Sequence, residues 1–87
     1  MEHYNKLKIK LNIGGPKGNA YYILGIVPSL TSGDNIVEIR NEMMKGDYNN
    51  LLKVFKKHFP EVVLYSDEVL NGVDRTLYSV DRQLIEL

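Results

Sequence analysis

"KLKIKLNIGGPKGNAYYILG", residues 6–25, changes its hydrophobic period half-way along, and that change decides the architecture. Up to residue 13, Leu7, Ile9, Leu11 and Ile13 alternate with Lys6, Lys8, Lys10 and Asn12. This period of two sends apolar side chains to one face of a strand and polar ones to the other. A strand with one dry and one wet face belongs to a sheet covered on one side only. The lysines also discourage stray pairing at a sheet edge. Past the loop Gly14-Gly15-Pro16-Lys17-Gly18-Asn19, Ala20, Ile23, Leu24 and Val27 recur at helical spacing. Asn19 suits an N-cap, and Gly18 is expected to take a positive φ before it. Pro28 lacks a donor and clashes with the preceding turn, so the first helix is predicted to end or kink near Val27, with SLTSGD as the connection.

Two further helices follow. In DNIVEIRNEMMKG, Asn35 and Glu38 have capping-box spacing, Ile36, Ile39 and Met43 form an inward stripe, and Gly46 is the expected stop. Asp47 then caps YNNLLKVFKKHF, where Leu51, Leu52, Phe55 and Phe59 face inward and Lys53, Lys56 and Lys57 face water, and Pro60 closes the helix. EVVLY, residues 61–65, is a strand by its β-branched and aromatic content.

The tail supports two patterns. Asn71-Gly72 is a type I′ hairpin signal that sets Glu68 opposite Arg75 and Tyr65 opposite Tyr78. Leu70, Val73, Leu77, Val80, Leu84 and Leu87 also keep heptad spacing. Gly72 and the β-branched residues count against a long helix, which favours extended structure. A two-stranded sheet is marginal in water, so a third strand is required from the tail or from a partner chain. The expected fold is α+β and two-layered, with three helices on one face of a small sheet. It forms a single domain over residues 1–87, with 1–65 as core and 66–87 as a C-terminal extension.

Composition narrows the function classes. The 87 residues are 44% hydrophobic and 25% charged, as in an ordinary globule. No apolar run approaches the roughly 20 residues that span a bilayer, and MEHYNKLKIK lacks the apolar core of a signal peptide. A cytoplasmic location without membrane association is therefore expected. The absence of cysteine removes disulfides, thiolate metal sites and cysteine nucleophiles. The net charge of zero conceals an asymmetry. Residues 1–60 hold nine Lys/Arg against five Asp/Glu, whereas residues 61–87 hold two against six. An acidic tail competing for the body's lysines argues against general nucleic-acid binding and suits packing of tail against body, within a protomer or between protomers of a homo-oligomer.

The Gly loop has the strand–loop–helix setting in which backbone N–H groups and a helix N-terminus meet an anion. Gly15, Lys17, Gly18 and Asn19 are the candidate residues, with Lys8 and Lys10 adding charge. Tyr21 and Tyr22 lie in the first turn beyond, so at least one should face outward, where a ring could stack on a nucleotide base. The spacing is neither Walker A nor G-x-G-x-x-G, and a tight corner requiring glycine accounts for the loop equally well. Neither His3 nor His58 has an evident carboxylate partner. Asp34, Glu38 and Glu42 share a helical face, the basis of an alternative reading as a small phosphoester-handling enzyme, although a solvated face is far commoner. No nucleophile–base arrangement can be assembled, so neither catalysis nor a metal or other cofactor is expected.

GGPKGNAYYILG and NEMMKGDYNNLLKVFKKHFPEVV resemble segments of a group of small, mostly uncharacterised bacteriophage and prophage proteins. Those carry a G-P-x-G-N-A-[FY] turn into a helix and an E-M-x-x-G-D-Y-x-x-L-[IL]-x-x-F-x-x-[YH]-F segment before a second strand. Matching positions are Gly15, Pro16, Gly18, Asn19, Ala20 and Tyr21, then Glu42, Met43, Gly46, Asp47, Tyr48, Leu51, Leu52, Phe55, His58 and Phe59. The likeness covers roughly residues 7 to 65. The group's first helix is usually longer and basic in its middle, and residues 66–87 have no counterpart in it. The resemblance implies no catalytic residues. It implies a small accessory protein of an infected bacterium that binds a host protein or sequesters a nucleotide-derived immune signal.

Overall fold

Residues 9–80 are described in a computed structural model. Strand β1 (Ile9–Asn12) leads through a 3₁₀ turn at Pro16–Gly18 into helix α1 (Ala20–Leu30), which is followed by α2 (Asn35–Met43) and α3 (Tyr48–His58). Strand β2 (Val62–Ser66), a second 3₁₀ turn at Arg75–Leu77 and strand β3 (Ser79–Val80) complete the described chain. The sheet has the order β1-β2-β3, and both pairings are parallel. All three helices lie in the crossover from β1 to β2, the long connection that parallel strands require. The fold is α+β, as expected from the sequence.

The alternation read in the sequence sorts the sheet's two faces. Leu11, Ile13, Val62, Leu64 and Ser66 are buried, while Lys10, Asn12, Val63 and Tyr65 are half-buried or exposed. In register, Leu11 is paired with Leu64, so both lie under the helices. The helices answer with Ile23, Leu24 and Val27, Ile39 and Met43, and Leu51, Leu52, Val54 and Phe55. The Phe55 and Phe59 rings sit 5.2 Å apart and tilted, a favourable aromatic arrangement. No helix of the described residues is long and apolar enough to cross a membrane.

Two of the expected helix caps form. The Asn19 side chain accepts from the Tyr21 N–H at 2.7 Å, and Asp47 accepts from Asn50 N–H at 3.0 Å. The capping box at Asn35 does not form. Asp34 occupies the capping position with helical backbone and no side-chain cap, which puts Asn35 inside the first turn. Pro28 does not end α1 either. The helix runs on to Leu30, because proline removes one backbone bond near the end, and Thr31 N–H still closes on the Val27 carbonyl at 3.1 Å. The α2 helix stops at Met43, before Gly46.

The tail supplies the sheet's third strand, β3, as one of the expected alternatives had it, but reaches it by an unexpected route. It forms neither a hairpin nor a helix over its described length. Ser66 is fully buried and closes a turn on Glu68, donating to its carbonyl at 2.7 Å and accepting from its N–H at 3.1 Å. Gly72 adopts φ +82°, as its turn signal requires, but residues 67–78 form a crossover. Tyr65 is paired with Ser79 instead of Tyr78, and Tyr78 turns into the core. Burial explains the choice. Leu70, Val73, Leu77 and Val80 pack against the core along this path, whereas a hairpin projecting past the sheet would leave them in water. The heptad positions Leu84 and Leu87 lie outside the described residues.

Candidate functional site

The Gly loop is built at the end of β1 by local hydrogen bonding. Ile13 N–H reaches the Tyr65 carbonyl at 2.9 Å, and Asn12 Oδ1 accepts from Gly14 N–H at 2.8 Å. The chain then winds through its 3₁₀ turn, with Gly18 N–H on the Gly15 carbonyl at 2.9 Å and Asn19 N–H on the Pro16 carbonyl at 3.2 Å. Gly18 is needed here for proximity, and its φ is not positive. A Cβ at Gly18 would lie 2.0 Å from the Ile13 carbonyl oxygen, a backbone atom that cannot move aside. The Tyr48 phenol, in the first turn of α3, donates to the Gly18 carbonyl and ties the loop to the helical layer.

Between this loop and the tail lies an open groove of about 460 Å³. Ile13, Gly15, Pro16, Gly18 and Asn19 line one side, and Tyr48, Leu70, Asn71 and Val73 the other. Three of the sequence candidates, Gly15, Gly18 and Asn19, therefore share one site. Lys17 is exposed and outside the lining, and Lys10 is exposed on β1. Tyr21 is 83% exposed and borders a different groove of about 320 Å³, with Leu24, Met43 and Met44. Tyr22 is partly exposed and lines neither groove, and Lys8 lies outside the described residues. The second wall was missed in the sequence. Tyr48 could have been found from its place directly after the Asp47 cap, while Leu70 and Val73 read only as a hairpin or a heptad.

The groove is electrically neutral among the described residues, since no lining side chain carries a charge. The N–H groups of Gly14, Gly18, Asn19 and Tyr21 are engaged internally. What faces the space is a mixture of apolar side chains, the Tyr48 phenol and the Asn19 and Asn71 amides. Burial pushes the Tyr48 phenol pKa up, so it stays a neutral hydroxyl.

The acidic face of α2 forms a separate recess of about 310 Å³, lined by Thr31, Asn35, Glu38, Ile39, Glu42, His58 and Phe59, and Asp34 is not part of it. His58 has a carboxylate partner after all, because α3 packs on α2. Its Nε2 lies 3.1 Å from Glu42 Oε1, and Lys57 Nζ lies 3.3 Å from Oε2. The hydrogen bonds from His58 and Lys57 hold the Glu42 carboxyl below its usual range. A carboxylate with both oxygens already engaged by neighbouring side chains is a poor proton acceptor. Among the described residues no three His, Asp or Glu side chains are grouped to hold a metal ion. No family model matches this chain, and no curated protein or solved structure matches it.

Proposed function

We propose that this chain is a non-catalytic binding protein that sequesters a small ligand in the groove between residues 15–19 and 70–73. The observation that carries the reading is the groove's position. It lies outside the carboxyl ends of the parallel strands β1 and β2, beside the N-terminus of α1. Parallel strands release their connections at that end, so the loops that leave β1 and β2 face each other there as the groove's two walls. The neutral lining selects an uncharged portion of the ligand. A nucleobase suits it, with its flat face on apolar walls and its polar edge on the asparagine amides. A phosphate on the sugar attached to that base would remain outside the groove, where Lys17, exposed between the lining residues Pro16 and Gly18, is the candidate partner.

The resemblance to bacteriophage proteins supplies the setting of this proposal: a host bacterial cytoplasm, with a nucleotide-derived signal as the target. The engaged oxygens of Glu42 support a non-catalytic role. Self-association of the basic body with the acidic tail belongs to the same proposal. A second reading, a protein partner without a small ligand, is favoured by one observation. Tyr21 is 83% and Met44 57% exposed, and both line the same largely apolar groove; such residues are enriched at protein interfaces.

Calorimetric titration with adenine and guanine nucleosides and their linear and cyclic phosphates tests the first reading. Nucleosides should bind, and Lys17→Ala should weaken only the phosphorylated ligands without lowering the melting temperature. If neither nucleosides nor nucleotides bind, the small-ligand reading fails and the Tyr21–Met44 surface takes precedence.

A further inference from the structure

The tail-side wall of the groove is one stretch of chain, residues 70–74, outside any helix or strand. Little within this stretch holds it in place. Val73 N–H reaches the Leu70 carbonyl at a long 3.3 Å, and Gly72 adds its left-handed turn. Side chains from elsewhere pin it at both ends. The Tyr78 hydroxyl accepts from Leu70 N–H at 2.8 Å. At the other end Asn49 makes two bonds: its Nδ2 donates to the Gly72 carbonyl at 2.9 Å, and its Oδ1 accepts from Asp74 N–H at 2.7 Å.

A carboxamide carries one donor group and one acceptor in a plane, like a peptide unit. Asn49 therefore pairs with the wall much as a neighbouring strand would. Its location adds to the argument. Asn49 follows Tyr48, whose hydroxyl holds the Gly18 carbonyl on the opposite wall. One turn of α3 thus reaches both sides of the groove, Tyr48 the loop side and Asn49 the tail side.

We infer that Asn49 is the positioning residue of this groove, fixing its width by clamping residues 70–74. The inference rests on the groove being the ligand site. Both Asn49 bonds are solvent-exposed, so their loss should loosen the wall while sparing the buried core, the pattern of a local opening rather than of global unfolding.

The test uses the full chain and three variants. Asn49→Ala removes both bonds. Asn49→Asp keeps the acceptor for Asp74 N–H and loses the donor to Gly72. Lys56→Met removes a 3.3 Å bond to the Thr76 carbonyl, beyond the wall, and serves as the control. Amide hydrogen exchange should show the Asp74 N–H exchanging about tenfold faster in Asn49→Ala, the factor expected for one lost hydrogen bond. Protection should be retained in Asn49→Asp and Lys56→Met, with all melting midpoints close to the unaltered chain. Titration with adenosine should show weaker binding by Asn49→Ala, partial recovery in Asn49→Asp and no change in Lys56→Met. Unchanged Asp74 exchange in Asn49→Ala overturns the inference, as does unaltered adenosine affinity despite faster exchange. A large fall in melting midpoint shared by Asn49→Ala and Asn49→Asp also overturns it, since Asn49 would then be a general structural residue. If adenosine fails to bind the unaltered chain while exchange responds as expected, the clamp is real. The groove reading is then what fails, and the ligand-positioning role falls with it.

Discussion

The Tyr48 hydroxyl donates to the Gly18 carbonyl across 30 positions of sequence, joining the first turn of α3 to the corner between β1 and α1. The bond is half-buried, and the carbonyl it satisfies belongs to a residue with no side chain of its own to shield it. Tyr48→Phe should therefore destabilise the fold by about 1 kcal/mol, the usual net worth of such a bond, as measured by urea unfolding. The pKa of Tyr48 is raised above its ordinary 10.0 by burial. The folded state thus holds this proton more tightly than the unfolded state, and the associated stability is present below pH 10 and lost as pH rises through the folded pKa. Tyr48→Phe should flatten that alkaline limb.

Two glycines of the same loop should respond very differently. A Cβ at Gly18 meets the Ile13 carbonyl oxygen at 2.0 Å, whereas one at Gly15 meets nothing within 4 Å. Gly18→Ala must push the loop off the end of β1 and should cost on the order of 2–4 kcal/mol. Gly15→Ala should change stability by less than about 0.5 kcal/mol. Equal effects in denaturant unfolding would contradict the proximity argument.

Glu42 joins α2 to α3 through His58 and Lys57. Its pKa is lowered from 4.5, mainly by the hydrogen bond to His58. A depressed carboxylate contributes stability above its unfolded pKa and loses it as pH falls through the folded value. Thermal melts from pH 6 downward should show a shallower acid limb for Glu42→Gln than for the unaltered chain. Glu38→Gln combined with Glu42→Gln should leave ligand binding intact. Loss of binding by this folded double variant would direct attention to the α2 recess.

Self-association driven by the basic body and acidic tail should be sensitive to salt. Light scattering at tens of micromolar should detect dimers or larger species at low ionic strength, and they should dissociate near 0.5 M salt, where screening is nearly complete over a few ångströms. The four described heptad residues are engaged with the core of their own chain. A salt-resistant oligomer would therefore point to an apolar interface such as the Tyr21–Met44 surface.

Local periodicity was enough for much of this structure. The strict alternation in β1 determined a one-sided sheet, the 3–4 spacing of apolar residues determined three helices, and Asn19 and Asp47 cap the helices they precede. These signals depend on neighbours within a turn or two of chain, and such distances are written in the sequence. The strand pairing was decided elsewhere. Asn71-Gly72 is locally a hairpin signal, yet a parallel crossover wins because only that path carries Leu70, Val73 and Tyr78 onto the core. The partner of His58 and the tail-side wall of the groove likewise come from packing, with Glu42 16 residues from His58 and Gly72 23 residues from Asn49. Gly18 shows the division within one residue. Its place in a tight corner was legible, but the reason is the Ile13 carbonyl packed against it, a through-space contact that no backbone preference of a single residue encodes.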